Sequence, residues 1–325
     1  MKVLLTGGAG FIGSYIVRAT LDAGHQAVVV DDLSAGDRST VPEGVPLYTV
    51  DVRDRKALEE ILLRERPDVV NHHAALVSVR ESHQQPERYH AVNVEGTRNL
   101  LRAAMKAGVR RSILASSGGA VYGQPDRTPI PEDCPRSPLS PYGQTKVEAE
   151  DLLLWQDGRL ETAILRYGNV YGPGQNPLRD NGVIGIFSRA LLCGENPVVY
   201  GDGSQRRDYV FVEDIARANV MALEAGLHGI FNIASGEGRT LLEVYRGITS
   251  LLGGDMSLRF ASANAFEVVD NVLDVSRAGD SMGWRARVPF DLGLARTVEW
   301  IQSRFGESHK FSSEGAVVAA RDTLA

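Results

Sequence analysis

Tyr142 and Lys146, in the stretch SPYGQTK, stand four residues apart. Ser140 fits a helix N-cap and Pro141 the first helical position, so both side chains fall on one face of one helix. The pair suits proton transfer. A tyrosine has an ordinary pKa of about 10 and is a poor base at neutral pH, but a nearby ammonium favours the phenolate. Lowering that pKa to about 7 takes roughly 4 kcal/mol of differential stabilisation, part of which one desolvated lysine can supply. The stretch ASSGGAVYG, residues 115–123, offers a hydroxyl partner. It has two serines, Ser116 and Ser117, and no acid. An aromatic and a lysine also meet at this spacing by chance, so the elements around them decide the reading.

Those elements alternate. KVLLT, AVVVD, DVVNHHA, SILAS and TAILRYG are short apolar runs bounded by turn formers, as buried strands are. Between them FIGSYIVRATLDAG, RKALEEILLRER, NVEGTRNLLRAAMKAG and SPYGQTKVEAEDLLL show helical periodicity. Strand–helix alternation predicts an α/β fold, a Rossmann-type doubly wound parallel sheet. From about residue 171 the pattern changes to a Gly-, Pro- and Asn-rich loop followed by shorter mixed elements. This predicts a smaller mixed α/β substrate domain on the C-terminal edge of the sheet. The expected division is 1–170 for dinucleotide binding, 171–305 mainly for substrate, and a tail at 306–325 without a clear core pattern. A segment near 208–235 is expected to return to the first domain.

The net charge of −6 argues against a nucleic-acid or membrane-surface partner, because phosphate surfaces attract a basic field. Cys134 and Cys193 lie far apart and outside metal-ligand spacing, which suits free thiols in a reducing compartment. No apolar run is long enough to span a bilayer, and MKVLLTGGAG reads as a strand rather than a secretion signal. A cytoplasmic location is expected.

TGGAGFIG follows the first strand and opens the first helix, with Gly7, Gly10 and Gly13 in GxxGxxG spacing. Glycines here permit a tight turn and close approach of backbone to a pyrophosphate at the helix N-terminus. Asp31 follows Gly13 by 18 residues, at the end of the second strand. A carboxylate there accepts hydrogen bonds from the adenosine ribose and repels a 2′-phosphate, so the expected cofactor is NAD rather than NADP. Asp32 beside it can share the role.

NVEGT at 93–97, YGQTK at 142–146 and LRYGNVYGPGQ at 165–175 complete an ordered set with TGGAGFIG. Together they resemble the extended short-chain dehydrogenase/reductase family, nearest to its bacterial UDP-glucose 4-epimerase group, from residue 1 to about 305. The resemblance implies that hydride leaves C4 of a UDP-sugar for NAD⁺ and returns to the other face of a transient 4-keto sugar. Tyr142 would be base and then acid, and Lys146 would tune it, aided by the positive nicotinamide ring, and hold the nicotinamide ribose. Asn93 would support the site from the helix beneath, although it equally suits an N-cap of the helix at 93–107.

The resemblance also assigns Phe11 and Ile12 to the phosphate loop, and Asp51 and Val52, at the end of the strand LYTVDV, to adenine. Ala74, Ala75 and Tyr167 fall among its cofactor contacts. His72 and His73 have no third ligand at suitable spacing, so no metal is expected. On the substrate side it assigns Asn169 and Arg207 to the diphosphate, Val198 and Tyr200 to the strand packing on uracil, and Val183 to a nearby loop. Asn264 stands where the family usually has a second diphosphate arginine, with Glu267 at its acid, and Asn271 falls where bulk on the sugar is gated.

The family serine position falls at Gly118. Ser117, one residue earlier, is expected to replace it, with the glycine pair turning it into place. The family's dehydratases carry an acid right after the threonine; here that place reads GGA, which lacks the proton donor for elimination. Epimerisation of UDP-glucose or UDP-galactose is therefore expected, with another nucleotide-sugar enzyme of the family (a UDP-N-acetylglucosamine or UDP-glucuronate 4-epimerase, a dehydratase or a reductase) or a non-catalytic NAD-binding sensor or scaffold as alternatives. A homodimer through helices near 93–107 and 142–156 is expected.

Overall fold

The aliphatic runs of the first half make six strands: β1 (Lys2–Thr6), β2 (Gln26–Asp31), β3 (Leu47–Thr49), β4 (Val69–His72), β5 (Arg111–Ser117) and β6 (Glu161–Tyr167). Among the described residues seven more follow: β7 (Asn169–Tyr171), β8 (Val198–Tyr200), β9 (Arg206–Phe211), β10 (Gly229–Ile233), β11 (Gly238–Thr240), β12 (Arg259–Ala261) and β13 (Asp270–Asn271). The computed structural model describes residues 1–155, 160–178, 182–253, 257–263 and 268–305. Asn264, Glu267 and the tail at 306–325 lie outside the described residues.

The central sheet has the order β10-β6-β5-β4-β1-β2-β3, and every pairing in it is parallel. Its strands are apolar on both faces because both faces are covered. On one side Val3, Leu5 and Val29 pack with Ile16 and Val17 of the helix Phe11–Asp22 and Ile215 and Ala218 of the helix Val212–Ala225. On the other side Leu4, Val28 and Val70 pack with the helices Arg55–Glu65, Gly96–Lys106 and Pro141–Leu154. This is the doubly wound Rossmann-type α/β arrangement. The strand order reverses between β1 and β4, and the crevice beyond their carboxyl ends is where such sheets bind ligands.

Among the described residues a smaller four-stranded sheet and a separate two-stranded pair follow. β9 pairs antiparallel with β11 and parallel with β7 and β13, and β8 pairs parallel with β12. The core of the four-stranded sheet joins Tyr171, Tyr209 and Phe211 to Ile184, Val244, Ile248 and Leu294 from three helices.

Two local expectations change. β3 ends at Thr49, so Asp51 and Val52 lie in the turn after it rather than in the strand. Asp51 is held by Arg53 there, with Oδ2 2.6 Å from Nη2. Asn93 is not an N-cap: it sits inside a π-helical turn, Ala91–Glu95, that runs directly into the helix Gly96–Lys106. No helix among the described residues is long and apolar enough to cross a membrane.

Candidate active site

The glycine loop is shaped by its own backbone. Gly7 adopts φ +69°, and a Cβ there would stand 2.7 Å from Ala74 N. A Cβ on Gly13 would overlap the Gly7 carbonyl oxygen, so both positions exclude a side chain. Gly10 is the N-cap of the helix Phe11–Asp22 and has no side chain to satisfy the first-turn N–H groups, which are left for an anion. Phe11 and Ile12 are the first two residues of that helix rather than part of the loop.

Asp31 at the end of β2 accepts from Ala9 N at 3.0 Å and Leu33 N at 2.9 Å, which ties the glycine loop to the adjoining turn. Burial raises its pKa. Asp32 is exposed and accepts from Ser34 N and Oγ, closing its own turn. Cradle, free helix N-terminus and acid fit a dinucleotide with a pyrophosphate and a ribose diol.

The loop after β4 carries Ala74 and Ala75, half-buried, along the same crevice. Asn93 clamps it: Oδ1 accepts from Leu76 N at 2.8 Å, and Nδ2 lies 3.0 Å from both Leu76 O and Thr145 Oγ1. One amide thus joins the cofactor-side loop to the helix that carries Tyr142. Val52 packs against Gly96, where a Cβ would stand 2.6 Å from it. His72 uses both ring nitrogens, on Thr6 at 2.6 Å and Thr97 at 2.9 Å, and His73 Nε2 meets Tyr167 Oη at 3.0 Å. Tyr167 Oη also accepts from Asn219 Nδ2, so its hydroxyl is engaged in a buried network. Among the described residues no cluster could hold a metal ion.

The helix Pro141–Leu154 starts as its sequence requires, with Ser140 Oγ accepting from Gly143 N at 3.1 Å. Its buried face presents Tyr142, Lys146 and Glu150, one turn apart. Ser117, the last residue of β5, stands beside the Tyr142 phenol and favours its charged form. Lys146 Nζ donates to Ala115 O at 2.9 Å and lies 6.0 Å from the Tyr142 ring centre. Glu150 receives Arg166 on both oxygens, at 2.9 and 2.6 Å, and Ser116 Oγ at 2.5 Å.

The glycine pair makes no turn to bring Ser117 into place, because Gly118 and Gly119 begin a short helix and Ser117 is presented by the strand itself. Gly118 cannot carry the hydroxyl, since a Cβ there would run into the buried side chain of Leu273. The direction of the tyrosine's shift also differs from the expectation. Burial pushes Tyr142 up to about 12, against the pull of Ser117. Burial brings Lys146 down to about 8, with Glu150 acting in the opposite sense.

Asn169 and Asn271 join this group. A Cβ on Gly119 would stand 3.6 Å from Asn169 Oδ1 and 3.8 Å from Ser117 Oγ, so these two side chains converge there. Asn271 Nδ2 donates to Gly118 O at 3.0 Å. Arg207 lies beside Asn271 across β9 and β13. Val183 opens the helix Val183–Leu192, while Val198 and Tyr200 sit on β8 with more than a third of their surface exposed. Arg80, which sequence reasoning passed over, donates to Tyr200 Oη at 3.1 Å and stacks on its ring. Glu150 was also passed over, although its place four residues after Lys146 repeats the spacing of the pair.

Lys146 titrates near 8 in the folded chain against 10.5 ordinarily. Between those values the unfolded chain holds a proton that the folded chain has lost, so this residue makes stability rise with pH. Thermal unfolding of wild type and Lys146→Met should show wild type gaining on the variant from about pH 8 to about pH 10.5. A difference that stays flat across that window would contradict a desolvated ammonium.

A model of the NAD dependent epimerase/dehydratase family matches residues 3–234. A UDP-glucose 4-epimerase of Mycolicibacterium smegmatis is 38% identical over 312 residues, covering 94% of this chain and 99% of its own. Among solved structures, the Thermotoga maritima UDP-glucose 4-epimerase with UDP-glucose superposes with a TM-score of 0.91 at 36% identity, covering 94% of this chain and 99% of that one. The Thermus thermophilus UDP-glucose 4-epimerase complex with NAD gives a TM-score of 0.87 at 38% identity, covering 93% and 99%. Glycine cradle, buried Tyr–Lys helix and full-length likeness converge: the chain belongs to the NAD-dependent epimerase/dehydratase family, as an enzyme similar to the UDP-glucose 4-epimerases.

Proposed function

We propose that this enzyme inverts C4 of a UDP-sugar of the UDP-glucose/UDP-galactose type. The observation that carries the reading is the buried Tyr142 phenol at the end of β5, beside Ser117 and one helical turn from a lysine fixed on Ala115 O. The relatives named for this activity, and the neighbour solved with UDP-glucose, support the sugar.

Gly7, Gly10 and Gly13 with the first turn of the helix Phe11–Asp22 would hold the pyrophosphate of NAD, and Asp31 its adenosine ribose. Bound NAD would accept and return the hydrogen at sugar C4 and add a positive ring to the site. Tyr142 takes the proton of the 4-hydroxyl and later gives it back, and Ser117 orients that hydroxyl. In the protein alone burial outweighs the pull of Ser117 and keeps the phenol protonated, so deprotonation awaits added positive charge beside it. Asn169 and Arg207 face the diphosphate, and Val183, Val198 and Tyr200 the base. Gly118 and Gly119 offer no carboxylate, so elimination of water has no proton donor at that place.

We assign residues 1–170, with the helix Val212–Ala225 and β10 from the segment near 208–235, to the NAD-binding domain and the remainder to 305 mainly to substrate. We further propose a cytoplasmic homodimer. The helices Gly96–Lys106 and Pro141–Leu154 lie side by side, and Trp155 at the end of the second is 85% exposed beside Leu152 and Val94.

Turnover decides the reading. The NAD-loaded enzyme should interconvert UDP-glucose and UDP-galactose, and Tyr142→Phe should lower kcat by about 10²–10⁴. Absence of turnover for any UDP-hexose, including N-acetylated ones, would overturn it. The serine assignment has its own check. Ser117→Ala should lower kcat by roughly 10², and adding Gly118→Ser should not restore it, because that Cβ meets Leu273. Recovery in the double variant would contradict the assignment.

A further inference from the structure

The smaller sheet sets five polar side chains on one face. Arg239 on β11 is the register partner of Arg207 on β9, and Asn271 on β13 is the partner of the same arginine. Asn169 on β7 is in register with Tyr209, two residues along β9. Register partners share a face, as do residues two apart along a strand. Contacts agree: Arg239 lies 5.6 Å over the Phe290 ring and Tyr209 lies 5.7 Å from that same ring. The face therefore carries the row Asn271, Arg207, Arg239, with Asn169 and Tyr209 beside it.

Two arginines directly opposite each other on adjacent strands repel, at a cost to the sheet. Glu237 offsets part of the charge, with Oε2 2.8 Å from Arg239 Nη2, but that carboxylate is 69% exposed and screened by water. Hydrogen-bonding capacity on the same face is also unspent. Tyr209 Oη, Arg239 Nε and Asn271 Oδ1 are buried without a hydrogen-bond partner among the described residues. Tyr209 and Asn271 are 5% and 1% exposed, so ordinary surface water does not meet their needs. Two of the three atoms are donors, which suits phosphate oxygens, and the third accepts, which suits a sugar hydroxyl.

The row has a direction. At one end Asn271 holds the Gly118 carbonyl, next to Ser117 and so next to the reacting sugar carbon. Arg207 is one strand spacing away and Arg239 two, roughly 10 Å from Asn271. An anion linked to the sugar, with oxygens enough for two guanidinium forks, is what this row would hold. We propose that Arg239 is a second cation for the diphosphate of the nucleotide sugar, acting with Arg207 and the Tyr209 hydroxyl. This rests on the UDP-sugar reading and adds to it a residue that sets affinity without touching the reacting carbon.

The test measures binding of UDP and of uridine to the NAD-loaded enzyme, in wild type, Arg239→Gln and Arg239→Lys. Arg239→Gln should weaken UDP about tenfold to a hundredfold and leave uridine within about twofold. Arg239→Lys should recover most of the UDP affinity. KM for the UDP-sugar should rise in step with the UDP dissociation constant, with kcat within about twofold. Unchanged UDP binding in Arg239→Gln, or equal losses for UDP and uridine, would overturn the proposal while leaving the UDP-sugar reading in place. Failure of wild type to bind UDP at all would instead overturn that reading and the proposal with it.

Discussion

The active site depends on one buried ion pair. Glu150 and Arg166 are 0% and 1% exposed, and Arg166 approaches both carboxylate oxygens, at 2.9 and 2.6 Å. Such a pair returns little net stability once desolvation is counted, but loss of one partner strands a buried charge at about 3–5 kcal/mol. Its consequence here is geometric. Glu150 joins the helix Pro141–Leu154 to Ser116 of β5 and Arg166 of β6, so the helix has one register against the sheet. One turn back, that register sets Lys146 on Ala115 O, and one turn further it sets Tyr142 against Ser117. Arg166 also reaches Tyr122 Oη and Glu132 O, which fixes the short helix after Ser117 and the segment beyond it.

Electrostatics follow from the same burial. Desolvation acts on both members of the Tyr–Lys pair and disfavours the charged form of each, so Tyr142 moves up and Lys146 down. Glu150 opposes this for the lysine. The protein alone thus holds a site with its proton in place. A low-dielectric pocket of this kind responds strongly to any charge added to it, which suits chemistry that begins when a cationic cofactor ring is present.

Much of the fold could be read from the chain. Buried parallel strands are continuous apolar runs, and the glycine loop, Asp31 and the Ser140–Pro141 helix start are local signals whose geometry follows from a few neighbouring residues. Features that rest on distant parts of the chain could not. Gly118 is excluded as the hydroxyl position by Leu273, which β13 brings back to β5 only in the folded chain. Asn93 looked like a cap because the π-helical turn that buries it has no sequence signature, and its partners are a loop and another helix. Arg239 becomes visible only through strand register. The tyrosine's shift was misjudged because proximity of a lysine can be read from spacing, whereas the depth of burial cannot.

The central claim is that hydrogen leaves and returns to the same sugar carbon while Tyr142 carries only the hydroxyl proton. UDP-glucose bearing deuterium at C4, turned over in ordinary water and analysed by mass spectrometry and NMR, tests it directly. The account predicts UDP-galactose that keeps its deuterium at C4. Loss of that label to solvent would contradict it.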